Sequence, residues 1–174
     1  GNEFGGIYLG LANMELLAYD AIVENNFIGT NQTGTDAIPN GYGIDMLASI
    51  EAVVSGNLVS GNLNDGVVIR GASYSNVIEN NKIGTNSAGT AVIPNGVNGI
   101  RIQYTDNHTV KNNIVSGNIE TGVLIRAGGS SSNIVEGNTI GTDITGSQAL
   151  GNGFGITIRE GAINTTSLNN LISG

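Results

Sequence analysis

Arginine, carboxylate, amide and hydroxyl side chains at repeating positions are the residues of this sequence that could do chemistry. All four arginines fall on outward-facing positions of a recurring Gly-Ile-x-Ile-x pattern, on which Asp45 and Gln103 also lie. Guanidinium groups bind carboxylates as a fork, so the pattern predicts a face that binds an anionic polysaccharide of the uronic-acid type. Ion pairing with Asp65, Glu120 or Glu160 is the alternative, because exposed pairs are common. The candidate binding residues of this face are Asp45, Arg70, Arg101, Gln103, Arg126 and Arg159.

Three insertions of similar sequence supply a second set of polar side chains. They span residues 29–42, 84–98 and 141–154, and their hydroxyl, amide and carboxylate groups suit sugar hydroxyls or a calcium ion. Asp36 and Asp143 have no carboxylate counterpart in the middle insertion, so we predict no cofactor and keep calcium only as an alternative. The candidate ligand-binding residues of the insertions are Thr30, Asn31, Asp36, Thr85, Asn86, Thr142 and Asp143.

An Asn-Gly pair closes each insertion, beginning at Asn40, Asn95 and Asn152. Asn-Gly favours positive φ and tight turns, so a purely structural role of the insertions is the alternative to ligand binding. Because the insertions recur at the same point of the repeat, we expect them to project from one edge of the molecule.

Residues arranged for catalysis are not evident in the sequence. Paired acid/base hydrolysis of a glycosidic bond needs two carboxylates, and Asp45 has no second carboxylate in its own column. Arg101 and Asp45 lie on one face, two copies of the strand pattern apart, which is the nearest approach to a lyase arrangement. His108 is isolated within a turn-like sequence, so we predict a turn residue and not a general base. We therefore predict no catalytic residue and no metal site.

Six asparagines define the elements that must position these side chains. They are separated by 31, 24, 32, 25 and 32 residues, and each is followed two residues later by Ile or Val. An inward-facing Asn at a tight bend can satisfy backbone groups and stack on the next repeat, which predicts a solenoid with an Asn ladder. The ladder residues are Asn26, Asn57, Asn81, Asn113, Asn138 and Asn170.

A second pattern, Gly-[Ile/Val]-x-[Leu/Met/Ile], occurs six times and predicts a strand with one buried face. Each repeat then contains this strand, a variable turn, and two short strands on either side of the ladder asparagine. Three strands per coil, parallel stacking and the handedness of crossovers predict an all-β fold, a right-handed parallel β-helix of about six rungs. The pattern begins at Gly6, Gly43, Gly66, Gly99, Gly122 and Gly155.

The alternating intervals group the rungs in pairs. We predict a single β-helix domain over residues 1–174, with three two-rung repeats at 1–60, 61–116 and 117–174. Neither end looks like a cap, although solenoid ends normally need one. A segment of a longer repeat array is one explanation, and head-to-tail stacking of chains into a filament is the other.

Composition excludes several classes of protein. The net charge of −8 argues against nucleic acid or an anionic membrane as the main partner, since both need a dense basic face. The absence of Cys removes disulfides and thiolate zinc sites, as is common in extracellular repeat proteins. No apolar run is long enough to span a bilayer, so no membrane insertion is expected.

The two patterns resemble the parallel β-helix repeats of the pectate-lyase-like superfamily, which includes carbohydrate-binding and sugar-hydrolase β-helices of secreted bacterial proteins. The resemblance implies a saccharide cleft over the first sheet, with the insertions after the third sheet as its wall. It does not extend to catalysis, because neither the Asn-Thr-Asp element of polygalacturonase-like enzymes nor the Asp-Pro-His type element of alginate epimerases is present.

These observations together predict a noncatalytic carbohydrate-binding or adhesive β-helix segment of a secreted or cell-surface bacterial protein. Its expected partner is a polysaccharide or a cell-surface glycan. A structural spacer or a self-assembling filament subunit is the second hypothesis, and a polysaccharide lyase-like enzyme is the third.

Overall fold

The computed structural model describes residues 1–10 and 17–174, which form twenty β-strands and no helix. Three parallel sheets of six strands run along the molecule, and each rung contributes one strand to each sheet. Within the described part of the chain there is consequently no helix that is long and apolar enough to cross a membrane.

The first sheet contains β1 (Gly5–Leu9), β5 (Tyr42–Met46), β9 (Val67–Arg70), β12 (Ile100–Gln103), β15 (Thr121–Arg126) and β18 (Phe154–Arg159). The second contains β3 (Ile22–Glu24), β7 (Val53–Ser55), β10 (Val77–Glu79), β13 (Thr109–Lys111), β16 (Ile134–Glu136) and β19 (Thr166–Leu168). The third contains β4 (Phe27–Ile28), β8 (Leu58–Val59), β11 (Lys82–Ile83), β14 (Ile114–Val115), β17 (Thr139–Ile140) and β20 (Leu171–Ile172). A two-stranded sheet pairs β2 (Ala18–Tyr19) with β6 (Ser49–Ile50).

Aliphatic side chains of successive rungs stack in register inside the rod. Ile44 lies opposite Val67 and Val67 opposite Ile100, and all three are completely buried. Each fully buried Val or Ile contributes about 1.5–3 kcal/mol of hydrophobic stabilisation, so the columns explain why the strand pattern recurs in every rung. The all-β fold, the parallel strands and the six rungs are confirmed.

The Asn ladder forms between the second and third sheets. The Oδ1 atom of Asn57 accepts hydrogen bonds from the backbone N–H and Nδ2 of Asn26 at 2.9 and 3.0 Å. Its own Nδ2 donates to the Val23 carbonyl at 2.8 Å and to Oδ1 of Asn81 at 3.0 Å. The same bonds continue to Asn170, so one amide per rung satisfies buried backbone groups that a sheet ladder leaves free at this bend.

The residue before each ladder asparagine adopts the left-handed conformation, with φ between 54° and 67°. Asn and Gly tolerate this region best, so each bend begins with one of these two residue types. These residues are Asn25, Gly56, Asn80, Asn112, Gly137 and Asn169.

A second Asn ladder, which the sequence reading missed, forms between the third and first sheets. Asn40 Nδ2 donates to Asn62 Oδ1 at 3.1 Å, and Asn62 Nδ2 donates to Asn95 Oδ1 at 2.9 Å. In the same way, Asn95 Nδ2 donates to Asn118 Oδ1 and Asn118 Nδ2 donates to Asn152 Oδ1, each at 2.9 Å. This ladder includes the asparagines of all three Asn-Gly pairs.

The positive φ predicted for the Asn-Gly pairs is wrong, because neither residue of any pair lies in the left-handed region. Glycine is required there by close approach of the preceding rung. A Cβ at Gly96 would collide with the Leu63 carbonyl oxygen, and one at Gly153 would lie 2.5 Å from the Glu120 carbonyl oxygen. The small residue therefore makes room for backbone and does not set a turn type.

A third polar column, between the first and second sheets, contains His108. Its Nδ1 accepts the Asn76 backbone N–H at 3.0 Å, and its own backbone N–H donates to Asn133 Oδ1 at 3.0 Å. Nε2 donates to the Thr105 hydroxyl at 3.0 Å, because that hydroxyl itself donates to the Ser73 carbonyl. Burial lowers the pKa of His108 to about 4, so the ring is neutral. His108 lies between β12 and β13, but its ring is completely buried in the polar column, which the prediction of a turn residue did not include.

The three insertions close on themselves and stack on one another along one edge. Thr30 pairs with Ala37 as an antiparallel bridge, and equivalent bridges close the other two insertions. The Ser87 N–H donates to the Gly34 carbonyl at 2.9 Å, and the Ile144 N–H donates to the Gly89 carbonyl at 2.9 Å. The prediction that the insertions share one edge is confirmed.

The insertions pack beside the third sheet. A Cβ at Gly34 would lie 2.6 Å from Cδ2 of Leu58 on β8, and one at Gly146 would lie 2.7 Å from Cδ2 of Leu171 on β20. The expectation that they form the wall of a cleft over the first sheet is wrong. Covering outward-facing apolar side chains of the third sheet is their physical role.

Candidate functional site

The outer face of the first sheet gathers the six candidate residues of the recurring strand pattern. Asp45 and Arg101 lie in one column, two rungs apart, with Val68 between them. The neighbouring column follows the rod axis over the last four rungs. It contains Arg70, Gln103, Arg126 and Arg159.

A groove of about 600 Å³ lies at one end of this face. Its walls combine exposed aromatic rings, Phe4 at 82% and Tyr8 at 45% exposure, with a few polar groups. That combination is typical of ligand sites, in which apolar surface supplies contact and sparse polar groups fix orientation. The lining residues are Glu3, Phe4, Gly5, Tyr8, Tyr42, Asp45, Leu47, Asn64 and Arg70.

Asp45 and Arg70 form a bidentate pair in the groove. Nε of Arg70 donates to Oδ1 of Asp45 at 3.1 Å, and Nη2 donates to Oδ2 at 2.6 Å. The hydrogen bond to Asp45 raises the pKa of Arg70, and its guanidinium carbon lies 5.9 Å from the ring centroid of Tyr42. Burial and then the Asp45 charge raise the pKa of Tyr8, which keeps its phenol protonated as a donor.

Arg101 forms a second, more buried pair with Asp65. Nε and Nη2 of Arg101 donate to Oδ2 of Asp65 at 2.9 and 2.7 Å, and Nη1 donates to Gln103 Oε1 at 2.5 Å. Asn98 Nδ2 donates to the other Asp65 oxygen at 2.7 Å. The side chains of Arg101 and Asp65 are only 16% and 3% exposed, so this cluster ties two neighbouring rungs together and presents little free donor capacity.

Arg126 and Arg159 share one carboxylate, that of Glu160. Nη2 of Arg126 lies 2.9 Å from Glu160 Oε2, and Nε of Arg159 lies 3.4 Å from Oε1. Among the atoms that the structure describes, the buried Nε of Arg126 has no acceptor. Ion pairing was the alternative to ligand binding, and the structure shows that Asp65 and Glu160 do pair with these arginines. A ligand role of the arginines stays a prediction.

Asn31, Asn86 and Asp143 each cap the turn of their own insertion. Their Oδ1 atoms accept backbone N–H groups four residues ahead, at 2.9, 2.9 and 3.0 Å. The backbone hydrogen bond from Gln148, and further bonds within the turn, lower the pKa of Asp143. The three residues are therefore equivalent, and the acceptor oxygen is what the position requires.

The other candidate residues of the insertions also have partners within the chain. Thr85 and Thr142 are buried, at 0% and 3% exposure. The Thr30 hydroxyl donates to the Asn31 carbonyl at 3.2 Å, and Asp36 Oδ2 accepts Asn31 Nδ2 at 2.9 Å. None of these residues lines the groove, and their binding of a ligand stays a prediction.

No group of three or more His, Asp or Glu side chains that could hold a metal ion forms within residues 1–10 and 17–174. The calcium alternative thus has no preformed carboxylate cluster to support it among these residues, and it stays a prediction.

Of the residues that line the groove, only Asp45 and Arg70 are among the candidates predicted from the sequence. The lining residues outside that set are Glu3, Phe4, Gly5, Tyr8, Tyr42, Leu47 and Asn64. Phe4 and Tyr42 hydrogen-bond through their backbones, Tyr42 N–H to the Phe4 carbonyl at 2.8 Å, which places their aromatic side chains on neighbouring rungs. The sequence signal for them is an aromatic residue directly before a strand glycine on two successive rungs, namely Phe4 before Gly5 and Tyr42 before Gly43.

The fold and this outer face define a right-handed parallel β-helix, and the sequence agrees. The family model described as the right-handed β-helix region matches residues 1–172, so the chain belongs to that family. No curated protein matches the sequence.

A solved structure with a similar fold is the A-module of mannuronan C-5 epimerase AlgE4 from Azotobacter vinelandii. It aligns with a TM-score of 0.61 at 17% sequence identity, over 98% of this chain and 50% of that chain. The likeness shows a shared fold, and this chain spans half the length of that structure.

Proposed function

We propose that this chain is a noncatalytic carbohydrate-binding β-helix segment of a secreted or cell-surface bacterial protein. It binds a polysaccharide in the groove on the outer face of its first sheet. The observation that carries the proposal is one bidentate Asp45–Arg70 pair surrounded by the rings of Phe4, Tyr8 and Tyr42.

The aromatic rings supply the affinity. A sugar ring has apolar C–H faces that pack on aromatic side chains, and aromatic rings dominate the energetics of binding sites because they bury much surface. Phe4 and Tyr8 stand exposed, whereas the aliphatic side chains of Val68 and Leu124 on the same outer face are buried. The groove therefore holds its aromatic surface available to a ligand.

The polar groups supply orientation. Asp45 neutralises Arg70, so the groove offers a fixed carboxylate, a fixed guanidinium and the Tyr8 phenol without a net positive charge from the pair. These groups can donate hydrogen bonds to sugar hydroxyls and accept hydrogen bonds from them, so the positions of the hydroxyls determine which sugar binds. We therefore assign the groove to a hydroxyl-rich glycan chain, with no requirement for sugar carboxylates.

The fold of the chain is compatible with this role. A rod with an open face accommodates an extended polymer, and the structural relative is by its name an enzyme acting on a polysaccharide, mannuronan. The candidate face of this chain pairs its carboxylates with arginines, an arrangement suited to holding sugars and not to paired acid/base hydrolysis.

Glycan-array screening followed by calorimetry tests the proposal. Tyr8→Ala should weaken binding of the identified glycan about fivefold or more, as expected for an aromatic anchor. Phe27→Ala is the matched control, because Phe27 is 49% exposed on the third sheet, close to the 45% of Tyr8. Arg70→Lys keeps the charge and loses the fork, so it should also weaken binding.

Equal binding by the wild type and Tyr8→Ala would refute the groove assignment. Binding to no polysaccharide would refute the function and favour a spacer or filament subunit, which electron microscopy of concentrated protein would reveal. Release of a 4,5-unsaturated product from uronate polymers would refute the noncatalytic part in favour of a lyase.

A further inference from the structure

The corner between the first and second sheets presents a column of large side chains to solvent. Tyr19 pairs in register with Ile50, and Ile50 with Tyr74, so these residues lie on three successive rungs about 4.8 Å apart. Tyr19 is 62% and Tyr74 48% exposed, whereas Ser49, one residue before Ile50, is fully buried. The alternation shows that the tyrosines point away from the core.

Tyr19, Ile50 and Tyr74 form what we call the tyrosine ridge. It lies apart from the groove, whose lining includes none of these three residues. On the next rung Asp106 takes the register position of Tyr74, and Tyr104, directly after β12, is 59% exposed.

Carboxylates border the tyrosine ridge. Asp20 and Glu51 are exposed and directly follow Tyr19 and Ile50 in the chain. Asp106 lies opposite Tyr74 on the next rung, about 4.8 Å further along the rod. Carboxylates therefore flank the ridge at Asp20 and Glu51 and follow it at Asp106.

The charge of this side of the rod is strongly negative. Six acidic residues lie on the corner and on the adjoining outer face of the second sheet, against one Lys, which amounts to −5 of the formal net charge of −8. All four arginines lie on the first sheet, so the charges are segregated. The charged residues of this side are Asp20, Glu24, Glu51, Glu79, Asp106, Lys111 and Glu136.

We propose that the tyrosine ridge is a docking surface for an arginine-rich segment of a partner protein. A guanidinium packs on an aromatic face and pairs with a carboxylate at the same time, which a lysine ammonium does less well. Tyr74 and, one rung later, Asp106 provide this pair of contacts, the carboxylate through the oxygen that does not accept from Ser131. The negative field of the whole side steers a basic segment to the ridge.

Charge complementarity identifies this occupant. A second copy of the chain could offer only the arginines of its first sheet, and these are already paired with carboxylates of that copy. An acidic polysaccharide would be repelled by the carboxylates of this side of the rod. A basic peptide segment is attracted by the carboxylates and held by the rings.

Fluorescence anisotropy tests the proposal with the full chain and a labelled peptide of alternating Arg and Gly. The Arg peptide should bind more tightly than its Lys counterpart, and a Glu counterpart should not bind. The double variant Tyr19→Ala/Tyr74→Ala leaves the net charge unchanged and should weaken Arg-peptide binding about fivefold or more. Phe27→Ala is the control, since it removes an exposed ring on the third sheet.

Unchanged affinity in the double variant would overturn the proposal, because attraction by net charge alone does not need the rings. Equal loss in the control variant Phe27→Ala would overturn it as well. If the peptide does not bind and the double variant instead alters the sedimentation coefficient or glycan binding, the ridge serves another copy or a sugar, which also overturns it. Glycan binding in the groove is measured separately and does not depend on this result.

Discussion

Acidification should destabilise the rod through one residue, His108. The ring is completely buried in the third polar column, and its Nδ1 accepts the Asn76 N–H at 3.0 Å. Protonation would place a second proton opposite that N–H and a charge in the core. The nearby Asp106 charge opposes the effect of burial and does not cancel it, so the pKa stays at about 4.

The sign and size of the stability change follow from the difference in the pKa of His108 between the folded and unfolded states. The pKa of His108 is lower in the folded state, about 4, than the usual 6.5, so the unfolded chain binds more protons between these values. Stability from this residue is complete above pH 6.5 and is lost as the pH falls towards 4. Each unit of difference corresponds to about 1.36 kcal/mol, so the loss amounts to about 3 kcal/mol.

Urea unfolding of the wild type and His108→Asn, followed by far-UV circular dichroism from pH 7.5 to 4, measures this effect. Asn occupies the equivalent positions 76 and 133, so His108→Asn should keep the column of amides. The midpoint of the wild type should fall more steeply below pH 6.5, and the variant should lose this slope.

A converse variant serves as the control. Asn133→His, on the next rung, should add a second pH-dependent loss of similar size, because Asn133 is also completely buried. Identical pH slopes for the wild type and His108→Asn would refute the reasoning, since other acidic residues titrate equally in both proteins.

Three further variants test the ladders, the close approaches and the buried pair. Asn81→Ala should reduce the free energy of unfolding by about 3–5 kcal/mol, because it leaves several buried backbone and amide groups without partners; denaturant titration checks it. Gly96→Ala should cost about 1–3 kcal/mol through collision with a neighbouring rung, whereas Gly128→Ala, with open space around its Cβ, should shift the thermal midpoint little. Arg101→Ala should cost about 3–5 kcal/mol because it leaves the carboxylate of Asp65 buried and unpaired, and Arg101→Met combined with Asp65→Leu should recover much of the loss.

The repeat was readable because each rung must satisfy the same local requirements. Ile or Val at the core columns and Asn57 or Asn81 at the first ladder recur at positions that the chain itself reveals. The second ladder was missed because its members alternate between Asn-Gly pairs in long rungs, such as Asn40, and Gly-Asn pairs in short rungs, such as Asn62. Only the stacked rungs show that the two contexts place one amide in one column.

The candidate site was less readable, because its parts come from different rungs. The outward direction of Arg70 and Asp45 followed from strand alternation, but their mutual pairing depends on the register between β5 and β9. The groove needs Phe4 and Asn64, which lie outside the two recurring patterns that predicted the fold and meet only when three rungs stack.

By itself the sequence determined the class of fold, because the periodic Asn, Gly and aliphatic residues satisfy the backbone and fill the core of a β-helix in every rung. Tertiary structure alone decided where the insertions fold and which charges neutralise one another. Long-range register sets those distances, and Arg101 thus meets Asp65, 36 residues earlier in the chain, whereas the insertions turn to cover apolar surface of the third sheet.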